Sequence, residues 1–199
     1  LRTDRLWRAS LNVLAKAHTL AQEAGATVAV LLMGASEKDQ CTAESLDVSA
    51  CIDQQKAAGQ AAASGADIVY CLEHPQLQIP RSDIHAQVLT AFVRKHAPWL
   101  IMVPLNDFCR ETAATCAQHC QAGLIADCTE LVLVDGRIVG RCPAWGGQVL
   151  ADITLAEGWT TAFVTVQAHE PQPAAQSAAE GEIIRIPVDN VVVPEGIEL

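Results

Sequence analysis

The hydrophobic positions along the chain fall into two alternating rhythms. From Leu6 to Ala24 they recur at helical spacing, with Leu6, Leu11, Leu14, His18 and Ala21 near one face, and Gly25 stands where a helix C-cap is expected. Thr27 to Met33, TVAVLLM, is instead a continuous apolar and β-branched run, the pattern of a strand covered on both faces. The pair then repeats. DQQKAAGQAAASG reads as a helix ended by Gly65, DIVYCLE as a strand, DIHAQVLTAFVRKHA as a helix and PWLIMVPL as a strand; FCRETAATCAQHCQAG is a helix stopped by Gly123. Helices alternating with buried strands predict an α/β fold: a Rossmann-like, three-layer α/β/α domain whose mostly parallel sheet is joined by right-handed crossovers.

After Gly123 the rhythm changes. CTELVLVDGRIVGRC is two β-rich runs joined by Asp135-Gly136, a dipeptide that supplies the positive φ angles of a tight hairpin, so an antiparallel element is expected to follow the parallel core. VLADITL and TAFVTVQ are two more strand candidates. Residues 1–167 are thus expected to form the Rossmann-like domain, and residues 168–199 a linker and an extended C-terminal segment. HEPQPAAQSAAEGE is too poor in bulky residues to pack, and IIRIPVDNVVV reads as either an edge strand or a tail for another domain or chain. A parallel sheet ordinarily has a strand before its first helix, and here the pattern opens almost directly in the helix. The expectation is a missing first strand, through an artificial boundary, a cleavage or a divergent start.

Composition narrows the classes. A chain of 199 residues fits one domain and buries roughly 70% of its extended surface. Half the residues are hydrophobic, yet no stretch approaches the ~18 consecutive apolar residues of a membrane span. A net charge of −10 opposes binding to a polyanion, which excludes nucleic acid as the partner. The eight cysteines occur among long helical patterns rather than in a short loop-rich chain, and LRTDRLWRAS lacks a signal-type apolar region after its arginines. Reduced thiols and a cytoplasmic location are the expectation.

Chemistry-bearing motifs are sparse. Neither G-x-G-x-x-G after a strand, nor a P-loop, nor a G-x-S-x-G nucleophile elbow is present, so no catalytic role of its own is signalled. Cys116, His119 and Cys120 have the spacing to share one helix face, with Cys109 as a conceivable fourth metal ligand, but cysteine in an alanine-rich helix is more often a small buried hydrophobe. Arg110-Glu111 follow a strand end, where open α/β sheets tend to bind ligands, and Asp127 lies between a helix end and the hairpin. RCPAWGGQVLADI sets Trp145 against Gly146 and Gly147. That pairing suits a tight turn, or a place where a flat ligand or a partner approaches the backbone.

Residues 110–153, RETAATCAQHCQAGLIADCTELVLVDGRIVGRCPAWGGQVLADI, resemble the N-terminal domain of the electron-transfer flavoprotein alpha subunit. Arg110-Glu111 match its basic-acidic pair, AGLIADC ending at Asp127-Cys128 its post-helix signature, and PAWGGQVLA its closing motif; LWRASLNVLAKAHTLAQEAGATVAVLLMG is similar to its first helix and second strand. The resemblance implies a subunit that carries electrons between dehydrogenases and acceptors through FAD, paired with a beta subunit and serving a dehydrogenase or quinone-linked redox partner. It also implies that Arg110, Glu111, Asp127, Arg141, Trp145, Gly146, Gly147 and Gln148 face cofactor or partner. Two residues depart from the pattern. Cys109 replaces a glycine, and Cys142 stands before Pro143 where many members have arginine, with Arg141 displaced by one; this weighs against flavin bifurcation. The family's second, FAD-holding domain, with its glycine- and serine-rich signature, has no counterpart before Leu199, so this segment is expected to bind no FAD alone. The rival expectations are an adenine-nucleotide-binding sensor and a non-redox scaffold of the same architecture.

Overall fold

The computed structural model describes residues 3–36, 54–167, 181–189 and 191–192. Its first helix, α1 (Thr3–Ala24), ends where the sequence places its stop: Gly25 takes φ +64°, and the Ala26 amide bonds back to the Ala21 carbonyl at 2.9 Å, closing a Schellman-type cap. The buried side of α1 is wider than its first-read face. Leu14 and Ala21 pack with α2 (Gln54–Ala63) and β2 (Ile68–Glu73), while Val13 and Leu20 belong to a second cluster with Ile125, Leu131 and Val164. The helix therefore lies across two parts of the molecule.

β1 (Ala29–Gly34) pairs in parallel with β2, and β2 in parallel with β9 (Glu182–Pro187). The extended segment after the alanine- and proline-rich stretch is thus an edge strand of the domain, the first of its two expected roles. Most of that stretch, residues 168–180, lies outside the described residues. A second parallel sheet has the order β3 (Leu100–Pro104), β8 (Ala162–Val166), β4 (Gly123–Cys128). On one face α1 and α2 cover the first sheet. On the other, α3 (Ser82–His96) and α4 (Asp107–Cys120) enclose Leu89, Val93, Ala113, Cys116 and Phe163. Helices on both sides of parallel strands give the expected three layers.

Two features differ from the sequence reading. Among the described residues the parallel strands form two three-stranded sheets rather than one, and none of these strands pairs β1 to β3. Residues 123–128, read only as the end of a helix and a lead into the hairpin, are the strand β4. Gly123 looked like a helix stop, and the register of β4 on β8 shifts between Ile125 and Cys128, so the run never alternates long enough to be legible.

The hairpin is as expected. β5 (Glu130–Val134) and β6 (Arg137–Ala144) are antiparallel, joined at Asp135 (φ 51°) and Gly136 (φ 75°), and β7 (Val149–Thr154) extends them to a three-stranded sheet. This sheet sits on β4 at close quarters. A Cβ at Gly140 would lie 2.6 Å from Cys128 Sγ and 2.8 Å from Ile125 Cγ2, so only glycine lets β6 approach this near.

Candidate functional site

The residues singled out by the sequence occupy two places. The first is the end of the second parallel sheet where β3 runs into α4. Asn106 caps the helix, its Oδ1 accepting the Cys109 amide at 2.9 Å, and this fixes the first turn. One residue further, Arg110 reaches across to β4: its Nη2 donates to Asp127 Oδ1 at 3.1 Å and Oδ2 at 3.3 Å. Asp127 holds φ 62°, a left-handed backbone that aspartate tolerates better than most residues. The reason lies in the register shift there: the amide of Asp127 leaves the strand ladder and donates to Thr165 Oγ1 at 2.8 Å, a hydroxyl that is fully buried in β8. Glu111 is exposed on α4, and the arginine holds Asp127 rather than Glu111.

The second place is the outer face of the β5–β6–β7 sheet. Register puts Glu130 opposite Arg141 and Arg141 opposite Asp152, and the arginine binds both, Nη1 to Glu130 Oε2 at 2.7 Å and Nε to Asp152 Oδ1 at 2.8 Å. The hydrogen bond from Arg141 holds the Asp152 carboxyl below the usual carboxylate range, and Asp152 in return raises the Arg141 guanidinium. Around this ionic row the sheet presents apolar groups. Val132, Val134 and Leu150 share its outer face and are all exposed, and Val149 and Ile153 overhang the other side of β7.

The β6–β7 turn completes that surface. Trp145, Gly146 and Gly147 adopt φ of 51°, 68° and 84° in succession, and the Gln148 amide closes the turn onto the Trp145 carbonyl at 3.4 Å. The glycines answer to this left-handed path rather than to crowding, since a Cβ at either would meet nothing within 4 Å. The indole stands out from the turn, 85% exposed, and Gln148 is exposed beside it. A tryptophan held in left-handed backbone and left in solvent is unusual on both counts.

The structure therefore joins Arg110 to Asp127 and gathers Trp145, Gly146, Gly147 and Gln148 in one turn, and it ties Arg141 to Glu130 and Asp152, which sequence reasoning missed. Those two acids become visible only once the register of three strands is known. Thr165 was also missed, being a buried polar residue inside an apolar strand. The cysteine and histidine group of α4 does not converge: Cys116 is fully buried, taking a hydrogen bond from Thr90 Oγ1 at 3.4 Å, whereas His119 is exposed. Among the described residues no group of three or more histidines, cysteines or acids is placed to hold a metal, and no helix is long and apolar enough to cross a membrane.

A flavin-sized ligand needs apolar enclosure with a few convergent polar groups. The two places described here offer one exposed ionic edge and one exposed aromatic corner. They fit one side of such a ligand, or a protein surface, rather than an enclosure.

Residues 2–191 match the family model described as the electron transfer flavoprotein domain. The chain is similar to the electron transfer flavoprotein subunit alpha of Megasphaera elsdenii, 29% identical over 88% of this chain and 47% of that protein. It is also similar to the FixB protein of Azorhizobium caulinodans, 31% identical over 69% of this chain and 37% of the relative, and to that of Azotobacter vinelandii, 29% over 65% and 36%. The chain thus spans less than half the length of these relatives.

Proposed function

The chain belongs to the family of electron transfer flavoprotein domains, and from that membership we propose that it is the partner-docking, N-terminal part of an alpha-type subunit. In this reading it binds a beta-type subunit through the outer face of β5–β6–β7 and the Trp145 corner, and it forms one wall of the space in which FAD carries electrons between a dehydrogenase and an acceptor. The observation that carries the reading is the solvent-facing indole of Trp145 at the β6–β7 turn, at one end of a sheet face that exposes Leu150 near the turn and Val132 and Val134 further along. An aromatic anchor with apolar neighbours around a charged row is the composition of a protein interface, where desolvating the ring supplies most of the affinity and the ionic row sets register.

The chain's own residues position and exclude rather than catalyse. Arg110, half exposed and already held by Asp127, keeps guanidinium donors free for an anionic edge; the apolar sheet face removes water on docking. The bound FAD would supply the redox chemistry. Family membership and the named alpha-subunit relative favour this reading over the nucleotide sensor.

The test is co-expression with a beta-type subunit, followed by size exclusion and flavin absorbance. The expected result is a stoichiometric complex with the isolated chain flavin-free. Tight adenine-nucleotide binding by the chain alone, with no complex formed, would instead support the sensor.

A further inference from the structure

Two sulfurs from different strands meet beneath the β5–β6–β7 sheet. Along β6, Ile138, Gly140 and Cys142 are buried on the inner face, while Arg141 points outward to its two acids. Cys128, the last residue of β4, belongs to the same buried cluster, and its Sγ lies 3.4 Å from Cys142 Sγ. Gly140 makes the approach possible, since a Cβ there would press on Cys128 Sγ at 2.6 Å. The remaining polar contacts of the two thiols are long, 3.8 Å from Cys128 to the Ile125 carbonyl and 3.8 Å from Cys142 to the Gly140 carbonyl. Among the described residues, the closest hydrogen-bonding partner of each sulfur is therefore the other.

A single buried cysteine is accounted for as a small hydrophobe, but packing alone does not require two thiols to face each other. The other close pair differs in kind. Cys116 and Cys120 stand one turn apart on α4 with their sulfurs at 4.0 Å, and that spacing puts Cβ atoms about 5–6 Å apart, wider than the roughly 3.5–4.5 Å a disulfide spans. Cys128 and Cys142 are fourteen residues apart on separate, packed strands, and a small further approach brings their sulfurs to the bond length of about 2.05 Å. A metal would need further donors, and among the described residues no group of three or more histidines, cysteines or acids supplies them.

We propose that Cys128 and Cys142 form a peroxide-oxidisable dithiol whose disulfide staples the β5–β6–β7 sheet to the parallel core. The inference rests on the sulfur geometry and not on the functional reading above. The roles follow from position. Cys142 is 5% exposed and belongs to a peripheral sheet whose strand β7 is exposed at every residue but Ala151, whereas Cys128 is wholly buried. Local opening of this sheet admits hydrogen peroxide to Cys142 first. The Cys142 thiolate attacks one peroxide oxygen as the O–O bond breaks, leaving a sulfenic acid and a hydroxide that takes up the proton the thiol lost. The Cys128 sulfur then attacks the sulfenic sulfur: the S–S bond forms, the S–O bond breaks, and the hydroxyl departs with the Cys128 proton as water. Two thiols and one peroxide become one disulfide and two waters, with two electrons passing from sulfur to oxygen. Burial, and the Cys142 thiol beside it, push the Cys128 thiol above its ordinary value, which suits Cys128 to answer an activated partner rather than to start the reaction.

The experiment treats the reduced chain with hydrogen peroxide, alkylates the remaining thiols with iodoacetamide in urea, and maps the unreduced peptides by mass spectrometry. The expected product is a peptide pair joined through Cys128 and Cys142, lighter by two hydrogens and separated by dithiothreitol. Closing a loop of about 15 residues should also lower the unfolding equilibrium constant of the oxidised chain by about a hundredfold, read from urea titrations before and after reduction. In Cys128→Ser, dimedone should label the sulfenic acid at Cys142; in Cys142→Ser, Cys128 should stay unlabelled. If a serine variant does not fold, the wild-type cross-link and urea titration still decide. Recovery of both residues as thiols, or as sulfinic acid without the cross-link, overturns the dithiol. A cross-link that leaves the urea midpoint unchanged or lowers it overturns the staple, and dimedone labelling of Cys128 in place of Cys142 overturns the order of attack.

Discussion

Arg110 and Asp127, on α4 and β4, are joined by an ion pair of 3.1 Å at the edge of the parallel sheet, with both side chains nearly half exposed. Exposed pairs of this kind contribute at most about 1 kcal/mol to stability. Arg110→Gln is therefore expected to leave the urea midpoint of the isolated chain nearly unchanged, while in the complex with a beta-type subunit it weakens flavin retention by about tenfold, the size of one charge-assisted hydrogen bond. Flavin released on dilution is the measurement; unchanged retention removes Arg110 from the site.

Trp145 is the residue on which the proposed docking face is most directly tested. Because the indole is exposed, Trp145→Ala is expected to leave unfolding of the isolated chain unaltered within about 0.5 kcal/mol and to weaken subunit association by about 2 kcal/mol, or roughly thirtyfold. Trp145→Gly adds a control, since it relieves the left-handed backbone at φ 51° and should stabilise the turn by about 1 kcal/mol while weakening association equally. Association titrations of both variants decide whether ring or backbone matters.

Where the sequence spoke plainly, it did so through local chemistry. The α1 stop at Gly25 and the hairpin at Asp135-Gly136 each depend on φ angles that one or two residues set, and both stand as read. β4 was invisible because its identity depends on pairing with β8, a strand nearly forty residues later, and a bulge at Asp127 spoils its alternation. The site divides in the same way. Trp145-Gly146-Gly147 is a local turn, and the residues announce it. The Glu130–Arg141–Asp152 row exists only through register across three strands, which no single segment encodes. The division of the parallel strands into two sheets was likewise beyond local reading.

His85 gives the fold a pH dependence. It is buried in α3, with Nδ1 2.8 Å from the Arg81 carbonyl and its ring edge-on to Phe108, and burial pushes its pKa below the usual histidine value despite the opposing effects of that carbonyl and of Asp83. The unfolded chain then binds a proton near pH 6.5 that the folded chain takes up only at lower pH, so this group's stabilisation is present above pH ~6.5 and is lost as the pH falls through the folded value. Urea midpoints measured from pH 7.5 down to 5 should fall in the wild type and fall less steeply in His85→Gln. Parallel slopes in the two proteins would assign the effect elsewhere.

The buried thiols predict a second, alkaline limit. Burial pushes the Cys116 thiol up to about 12 and raises Cys128 as well, the latter reinforced by Cys142, whose sulfur lies 3.4 Å away. Native protein treated with iodoacetamide near pH 8 should keep Cys116 and Cys128 unmodified, since only thiolate reacts, and urea should open both. Because unfolded thiols ionise near pH 8.5 and the folded ones later, stability is full below that pH and declines as the pH rises toward 12. Mass spectrometry of the alkylated peptides checks the first statement and alkaline urea titrations the second.

Gly140 links the β5–β6–β7 sheet to the parallel core, and its substitution separates packing from surface chemistry. In Gly140→Ala the new methyl would press on Cys128 Sγ and Ile125 Cγ2, both in a fully packed cluster, so β6 must lift from β4 at an expected cost of about 1–3 kcal/mol. Cys128→Ala alone opens a small void and also destabilises. Combined with Gly140→Ala it vacates the space the methyl needs, and the double variant should be more stable than the sum of the two losses predicts. Urea unfolding of the four proteins in the cycle measures that coupling. If the losses simply add, the methyl is accommodated by movement elsewhere, and the hairpin is less firmly seated on β4 than its close approach implies.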